Sequence, residues 1–408
     1  MRDRETRRRW ATVGAAMAAM FLLGAIYAYG VLLPALIASF GWSTATGVLP
    51  QSVLLFVYAL GMGIGGLLQD RFSPTRIVMA GGLAFGLGLM LASGARTLPA
   101  LLLSYGGLCG LGFGFTYVSS VTAAMTSFPA RRGLVAGLTV GAFGLGSACW
   151  APLAQHLLAT LGWQGCFLFF GALCAMALPL LGLNIRAPWR PHAVPGRHAA
   201  AEGLSLRDAL RTSVFWLLFA AYLLATAAGL LWLADFKLFG TSQGIPASQA
   251  ALLVVVTSIG SGLGRILMGG LSDRIGRFPT LIGAAIAGTL LFVLLALGLP
   301  HLGIFLVALF IGGAFGTWLS LYGPTATDLF GLKAAGAIYG VLYLSYGLGG
   351  LLGPTLGGWL ADRAGNYRTA FLAAAGLCLL STLCFTLAAR VPASHYRHAP
   401  AAAEEYPE

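Results

Sequence analysis

Twelve long apolar segments restrict the fold of this chain of 408 residues more than any other feature of its sequence. Each is long enough to cross the roughly 30 Å hydrocarbon core of a bilayer as a helix, which takes about 20 apolar residues. Because a helix satisfies its own backbone hydrogen bonds, these segments predict an all-α membrane protein with twelve transmembrane helices. The predicted spans, numbered 1 to 12, are residues 10–39, 44–69, 75–95, 98–127, 133–160, 164–185, 212–236, 247–271, 279–299, 302–328, 335–360 and 368–389.

The composition excludes a soluble protein and gives no sign of nucleic-acid binding. Charged residues make up 9% of the chain and hydrophobic residues 58%, whereas a soluble domain carries about 25% charged residues. The net charge of +12 comes from basic residues scattered through short loops, so we expect a lipid bilayer, and no nucleic acid, as partner. The first apolar segment follows Arg7–Arg9 and is too long for a signal-peptide core, so we expect it to be retained.

The arginines and lysines predict how the spans are oriented. Four would lie in outer loops and Arg265 lies within span 8, which leaves 19 of the 24 on the side of the N-terminus. Because basic residues are retained on the cytoplasmic side, we expect a multi-pass protein of the inner (plasma) membrane with both termini in the cytoplasm. The four outer residues are Arg96, Lys237, Arg363 and Arg368.

The two halves of the chain repeat one motif. Gly66–Arg76, with the sequence GLLQDRFSPTR, aligns with Gly269–Pro279, with the sequence GGLSDRIGRFP. The repeat therefore places Asp70 after span 2 in the same position as Asp273 after span 8. Two similar halves imply a pseudo-twofold axis along the membrane normal, with a substrate site at their interface near the middle of the membrane.

The repeat and the composition together divide the chain into three parts. Residues 1–186 are predicted to form one six-helix bundle and residues 212–408 a second. Between them, residues 187–211 hold several prolines and arginines and predict a polar cytoplasmic linker. A short surface helix is expected at the end of this linker, beginning at Ser205.

One arginine lies deep within a predicted span. Arg265 precedes Asp273, at the end of its helix, by eight residues, which places it roughly 12 Å from the loop at about 1.5 Å per residue. Such a charge costs at least about 2.5–3.5 kcal/mol, so it usually faces a cavity and has an anionic partner. No acidic residue lies at comparable depth in the sequence, so a small organic anion is the expected partner. The alternative is a structural role for Arg265, for example capping loop carbonyls on the cytoplasmic side.

The sequence contains no constellation of residues that indicates catalysis. There is no phosphate-binding loop, no metal-ligand spacing and no Ser/His/Asp arrangement, so we expect neither an enzyme nor a cofactor or metal site. Glycines four residues apart, as at Gly133, Gly137 and Gly141, predict close helix packing. The six cysteines lie in apolar helical stretches and are interpreted as small packing residues; they are Cys109, Cys149, Cys166, Cys174, Cys378 and Cys384.

The paired G-x-x-x-D-R loops after spans 2 and 8 resemble the signature loop of the major facilitator superfamily. The resemblance covers essentially the whole chain and implies a fold of two six-helix bundles that alternate in access. It also implies that Asp70 braces against the neighbouring half and stabilises an outward-open state. The alternative for the basic residues is retention on the cytoplasmic side. The predicted gating residues are Asp70, Arg71, Arg76, Asp273, Arg274 and Arg277.

A narrower resemblance points to the monocarboxylate transporter and oxalate/formate antiporter families. It is carried by FGWSTA at Phe40–Ala45, by FPARRGLVAGLTVGAFGLG at Phe128–Gly146 and by Arg265 within span 8. In those families the span 8 arginine binds the substrate carboxylate, and oxalate/formate carriers line the site with aromatic residues. The alternative for each aromatic residue is packing or an interfacial position. The matching aromatic residues here are Tyr27, Tyr117, Trp318 and Tyr322, and Trp318 and Tyr322 share one helix face.

The chain departs from both families at the site. Oxalate/formate carriers typically have a lysine on span 11 in the place of Tyr346, and this departure argues against a dianion. We expect the Tyr346 phenol to line the site instead. Mammalian-type monocarboxylate carriers typically have an aspartate one turn before the arginine and a lysine on span 1. Ser261 and, roughly, Val31 occupy those places here, so the usual proton-coupling residues are not matched.

Asp235, near the outer end of span 7, is the candidate proton-coupling residue, because burial in a low-dielectric vestibule would let it titrate near neutrality. Alternatively, it forms an exposed loop pair with Lys237. The sequence thus predicts a secondary transporter that moves a small monocarboxylate, such as lactate or pyruvate, together with a proton. An anion exchanger of the oxalate/formate kind is the alternative within this class. A non-transporting membrane receptor or assembly factor is the alternative from another class.

Overall fold

A computed structural model describes residues 2–42, 44–69, 71–186, 203–246, 249 and 252–392. Within these residues the chain is helical and contains no strand, and a single isolated β-bridge joins Gly203 to Gly331. The helical segments are Arg2–Leu23, Gly24–Tyr27, Ala28–Phe40, Thr44–Leu68, Pro74–Ser93, Leu98–Leu101, Leu102–Cys109, Gly110–Ser127, Pro129–Arg131, Arg132–Gly182, Leu206–Ala209, Ser213–Ser242, Leu252–Ile275, Arg277–Leu297, His301–Phe330, Ala335–Ala364 and Arg368–Arg390.

These helices confirm the all-α membrane fold. In the described part of the chain, ten stretches are long and apolar enough to cross a bilayer. The other two predicted spans correspond to the first part of the helix Arg132–Gly182 and to the helix Leu252–Ile275. The break between spans 5 and 6 lies at Gly162, where φ is 68°. Only glycine adopts this conformation without strain, so the chain turns there between two crossings.

Two spans are less regular than a continuous apolar segment predicts. Span 1 is interrupted by a 3-10 turn at Gly24–Tyr27, and span 4 contains a π-helical stretch at Leu102–Cys109. Tyr105 of this stretch donates a hydrogen bond of 3.2 Å to the carbonyl of Ile26 within the 3-10 turn. The two irregular segments therefore face each other and share one hydrogen bond.

The two halves of the chain touch backbone to backbone near one end of the helices. We call this end the terminal side, because span 1 begins there and span 12 ends there. A Cβ at Gly66 of span 2 would overlap the carbonyl oxygen of Gly336 of span 11. In the same way, a Cβ at Gly133 of span 5 would overlap the carbonyl oxygen of Gly269 of span 8. These glycines let helices of opposite halves touch backbone to backbone, as the four-residue spacing at Gly133 predicts.

The end of the linker packs against the second half. Leu204 donates a backbone hydrogen bond of 2.8 Å to Phe330, and the expected short helix runs from Leu206 to Ala209 with Ser205 as its N-cap. The Ser205 hydroxyl lowers the pKa of the Asp208 carboxyl by hydrogen bonding to it. Most of the predicted linker lies outside the described residues, so its boundaries at 187 and 211 stay a prediction.

Candidate functional site

Arg265 is buried between the two halves of the chain. Its side chain extends from span 8 to span 5, where Nη1 donates a hydrogen bond of 2.9 Å to the carbonyl oxygen of Val140. The residue is 5% exposed, and its Nε–H has no hydrogen-bond partner among the described residues. No carboxylate in the described part of the chain forms an ion pair with it. Val140 lies within a helix, so this acceptor is a helix carbonyl and not a loop carbonyl. The bond gives Arg265 a structural contact with the first half, and its role in binding an anion stays a prediction.

Small residues on span 5 make this position possible. A Cβ at Gly137 would overlap the carbonyl oxygen of Arg265, so the backbones of spans 5 and 8 touch at this point. A Cβ at Gly144 would lie 3.3 Å from Nη1 of Arg265. The guanidinium group therefore lies across a face of span 5 that side chains would otherwise fill.

Ser261 lies one turn before Arg265 on the same face of span 8. It is 8% exposed, and its hydroxyl has no hydrogen-bond partner in the described part of the chain. Residues four apart on a helix are neighbours along one face. A buried donor without a partner costs about 1–3 kcal/mol. Two such donors on consecutive turns, one of them cationic, form a pair of groups suited to an anion.

A cluster of tyrosines lies where the two halves face each other, and Tyr343 of span 11 is in contact with most of them. Its ring centroid lies 5.7 Å from that of Tyr58 and 5.8 Å from that of Tyr117, both in the first half. It also lies 4.9 Å from Tyr322 and 5.1 Å from Tyr346 in the second half. Three predicted site residues, Tyr117, Tyr322 and Tyr346, are thus brought together by a residue that was not predicted.

Tyr322 occupies the part of this cluster that lies within the second half. Its ring stacks on Tyr222 of span 7 with centroids 3.7 Å apart. Its hydroxyl is 3.1 Å from the hydroxyl of Ser345 on span 11. Tyr222 donates a hydrogen bond of 3.2 Å to Thr325, so both phenol hydroxyls have defined partners within the second half, and both rings are fully buried.

Tyr58, Tyr222 and Tyr343 were not among the predicted site residues. One signal was available for Tyr343, because Tyr339, Tyr343 and Tyr346 recur at helical spacing and mark one face of span 11. Tyr58 and Tyr222 carry no such signal. Each is a single tyrosine in an apolar span, and only the packing of the helices brings it to the interface.

Span 5 connects Arg265 to the tyrosine cluster. Phe143 lies between Val140 and Gly144, the two positions that contact the Arg265 side chain. Its ring centroid is 6.2 Å from that of Tyr117 and 5.6 Å from that of Phe113. One turn of span 5 therefore touches the buried cation and the aromatic residues of span 4.

Trp318 takes a direction different from the one expected. The far edge of its indole lies 3.4 Å from where a Cβ at Gly288 of span 9 would be. Tyr322, one turn later, contacts spans 7 and 11 instead. Residues four apart share a helix face only approximately, and a long side chain amplifies the difference in direction. The indole packs within the second half, and its Nε1–H has no partner among the described residues.

Two further predicted site residues have side chains outside the described residues. Tyr27 is the last residue of the 3-10 turn in span 1. Asp235 belongs to the helix Ser213–Ser242. Their proposed roles therefore remain predictions.

A network of charges joins the halves at the terminal side. The Asp273 carboxylate accepts backbone hydrogen bonds of 2.9 Å from Gly133 and 2.8 Å from Leu134, at the start of span 5. An anion at this helix N-terminus satisfies free N–H groups and interacts favourably with the helix dipole. Asp273 is also paired with Arg277 at 2.7 Å. The carboxylate after span 8 therefore braces one half against the other.

Asp328, at the end of span 10, extends this network and was not predicted. Its carboxylate pairs with Arg277 of the same half and with Arg132 of the opposite half, each at 2.7 Å. Among the other predicted gating residues, Arg71, Arg76 and Arg274 are exposed, and Asp70 lies outside the described residues. Asp328 gave no signal in the sequence because a single acid at a helix end is ordinary.

Comparison with known proteins agrees with this architecture. The chain is 29% identical to the oxalate:formate antiporter of Oxalobacter formigenes over 329 residues, which cover 79% of this chain and 77% of the relative. It is 30% identical to monocarboxylate transporter 11 of Mus musculus over 385 residues, which cover 91% of this chain and 85% of the relative.

Among solved structures, a major facilitator superfamily transporter, FucP, in the outward conformation superimposes with a TM-score of 0.73. The match covers 92% of this chain and 98% of FucP at 18% identity, so it shows the fold alone. The family model for the Major Facilitator Superfamily matches residues 15–242 and 234–406. With matches along both halves and a shared helical architecture, this chain belongs to the major facilitator superfamily and is a multi-pass membrane transporter.

Proposed function

We propose that this protein is a secondary active transporter of small monocarboxylates of the lactate or pyruvate type, coupled to protons. Transport proceeds by alternating access, with the two six-helix bundles moving about a site at their interface. The terminal side is cytoplasmic and the membrane is the inner (plasma) membrane, as the distribution of arginine and lysine indicates. The observation that carries the proposal is the buried Arg265, whose Nε–H has no hydrogen-bond partner among the described residues.

The chemistry of Arg265 suits a single carboxylate. A guanidinium group can donate two parallel, charge-assisted hydrogen bonds to one carboxylate, a geometry that lysine lacks. The hydroxyl of Ser261, buried one turn away and also without a partner among the described residues, is a further donor for the same anion. Substrate thus replaces an unfavourable state, a buried cation without an ion pair, by a paired one.

The number of charges argues for a monocarboxylate. One buried cation neutralises one carboxylate, and a second carboxylate would remain unpaired in a low-dielectric site at a cost of several kcal/mol. Oxalate/formate carriers typically have a lysine on span 11 where this chain has Tyr346. The ring centroid of Tyr346 lies 5.1 Å from that of Tyr343. In the proposed site Tyr117, Tyr322, Tyr346 and Tyr27 shape the pocket around the non-carboxylate end of the substrate.

Proton coupling follows from the energetics of moving an anion. Carrying a bare anion inward against a negative-inside potential costs about 2.3 kcal/mol per 100 mV. A proton that moves with the anion makes the cycle electroneutral. Asp235 is the proposed carrier of this proton, because it lies in a span on the side away from the cytoplasm.

An uptake assay tests the proposal. The purified protein is reconstituted into vesicles, and uptake of labelled lactate, pyruvate, formate and oxalate is measured with and without an inward proton gradient. Gradient-driven accumulation of lactate or pyruvate supports symport. Oxalate uptake that requires internal formate would favour an exchanger, the function named for the relative from Oxalobacter formigenes. Absence of uptake for all four anions by folded protein would favour a receptor or assembly factor.

A further inference from the structure

A groove of about 620 Å³ lies between spans 5 and 8 at the terminal side. Both halves of the chain form it, and Arg265 is not among its lining residues. The first half contributes Ala130, Arg131 and Leu134. The second half contributes Ile266, Leu267, Gly270, Leu271, Asp273 and Arg274.

The end of the groove nearest the terminal side is positively charged. Arg131 and Arg274 are exposed, and neither forms an ion pair among the described residues. The one acidic residue of the lining, Asp273, already accepts hydrogen bonds from Gly133 and Leu134 and pairs with Arg277. Its charge is thus largely compensated, and the two arginines determine the charge at the groove entrance.

The end of the groove farther from the terminal side is apolar and opens toward lipid. Leu271 and Leu267, which line the groove, are 38% and 59% exposed, and Leu263 and Ile259 continue the same face of span 8 with 49% and 52% exposure. These four residues recur every four positions, so they form one stripe along the helix. An apolar stripe on a membrane span faces acyl chains, and basic residues at the end of the span lie at the level of the lipid headgroups.

We infer that this groove binds an anionic phospholipid of the leaflet on the terminal side. Its phosphate lies between Arg131 and Arg274, and its acyl chains lie along Leu267 and Leu271. Basic pockets between membrane helices on the cytoplasmic side are suited to acidic lipid headgroups. A soluble phosphate would pair with the arginines alone and leave the apolar part of the groove uncovered, so the observations favour a lipid over a free anion.

The groove gives such a lipid an influence on the transporter's conformation. Its lining comes from both halves, so it is complete only while spans 5 and 8 are in contact through Gly133 and Gly269. A ligand that binds one conformation more tightly increases the population of that conformation. An anionic lipid therefore stabilises the state in which the terminal side is closed, in addition to the Asp273 hydrogen bonds.

Lipid retention by the purified full-length protein tests this inference without reference to transport. The protein is equilibrated in detergent with equal amounts of phosphatidylglycerol and phosphatidylethanolamine, and the retained lipids are counted by native mass spectrometry. We expect phosphatidylglycerol to be preferred at least about tenfold, a ratio that corresponds to about 1.4 kcal/mol. The double variant Arg131→Ala/Arg274→Ala should lose this preference. The matched control Arg207→Ala/Arg211→Ala, which removes two exposed arginines of the linker region, should keep it.

Each other outcome contradicts the inference. Equal retention of the two lipids, or an unchanged preference in the groove variant, would exclude a specific anionic lipid site. Displacement of phosphatidylglycerol by an equal concentration of inorganic phosphate would assign the arginines to a free anion.

If the double variant does not fold, the single variants Arg131→Gln and Arg274→Gln are compared with the wild-type protein, and each should weaken retention of phosphatidylglycerol.

Discussion

Arg265 and Val140 belong to opposite halves of the chain and are joined by a hydrogen bond of 2.9 Å from the guanidinium to a backbone carbonyl. The group proposed to bind substrate is therefore also a contact between the two bundles. A carboxylate that bound this guanidinium would therefore act directly on the contact between the bundles. In the proposed mechanism, this relationship couples occupancy of the site to the relative position of the halves.

The first prediction concerns the geometry of the cation. Arg265→Lys keeps the positive charge but loses the planar pair of donors, so uptake should fall at least about tenfold, equivalent to about 1.4 kcal/mol. Arg265→Ala should abolish uptake while the protein still inserts into the membrane. Arg207→Ala, at an exposed position of the short linker helix, serves as the control. Normal uptake by inserted Arg265→Ala protein would show that the substrate binds elsewhere.

Substrate charge gives the second prediction. Because the described part of the site contains one buried cation, lactate or pyruvate should bind at least about tenfold more tightly than oxalate, a difference of about 1.4 kcal/mol. Competition for uptake by unlabelled anions measures this ratio. Tyr346→Lys should shift the preference toward dicarboxylates by adding a second cation, and Tyr346→Phe is its uncharged control. Equal competition by oxalate and lactate in the wild-type protein would contradict the charge argument.

The third prediction concerns the proton. An inward proton gradient should drive accumulation, and a protonophore should abolish it. Asp235→Asn removes the proposed proton carrier, so this variant should retain exchange of substrate and lose gradient-driven accumulation. Normal accumulation by Asp235→Asn would place the proton path elsewhere. Wild-type uptake that does not respond to the gradient would contradict symport.

The aromatic cluster provides the fourth prediction. Tyr343 is 2% exposed and contacts tyrosines of both halves, so Tyr343→Ala leaves a cavity at the interface. Truncation of a buried large aromatic residue to alanine costs about 3–5 kcal/mol in soluble cores. We expect a lower thermal unfolding midpoint and weaker substrate affinity, measured by light scattering on heating and by the KM of uptake. Tyr343→Phe keeps the ring and should remain close to wild type, and equal effects of the two variants would contradict a packing role.

The fifth prediction tests the terminal-side network as a gate. Asp273→Asn weakens the two charge-assisted hydrogen bonds to span 5 and the ion pair with Arg277, so the terminal side should open more often. A cysteine placed at Ser261 in a cysteine-free background reports this opening through its rate of reaction with a membrane-impermeant maleimide added to that side. The rate should rise in Asp273→Asn and stay unchanged in Asp208→Asn, a control on the linker helix. An unchanged rate in Asp273→Asn would exclude the gating role.

The sequence by itself determined the class of fold and the position of the buried cation. Long apolar segments have only one way to cross a bilayer without exposing backbone polar groups, so membrane helices could be counted directly from the chain. The helix that follows Ser205 was likewise encoded locally, by a capping residue. Arg265 was identifiable because a charge in an apolar span is rare and costly.

The tertiary structure alone decided which side chains meet. Whether Tyr58 faces Tyr343, whether Asp328 reaches Arg132 and whether Trp318 turns toward span 9 depend on how helices distant in sequence rotate and pack. Composition and periodicity describe one helix at a time. In a membrane span nearly every face is apolar, so periodicity does not distinguish the face that contacts lipid from the face that contacts another helix. Contacts between helices are set by the close packing of small residues and by paired polar groups from separate parts of the chain, so they exist only once the helices have assembled.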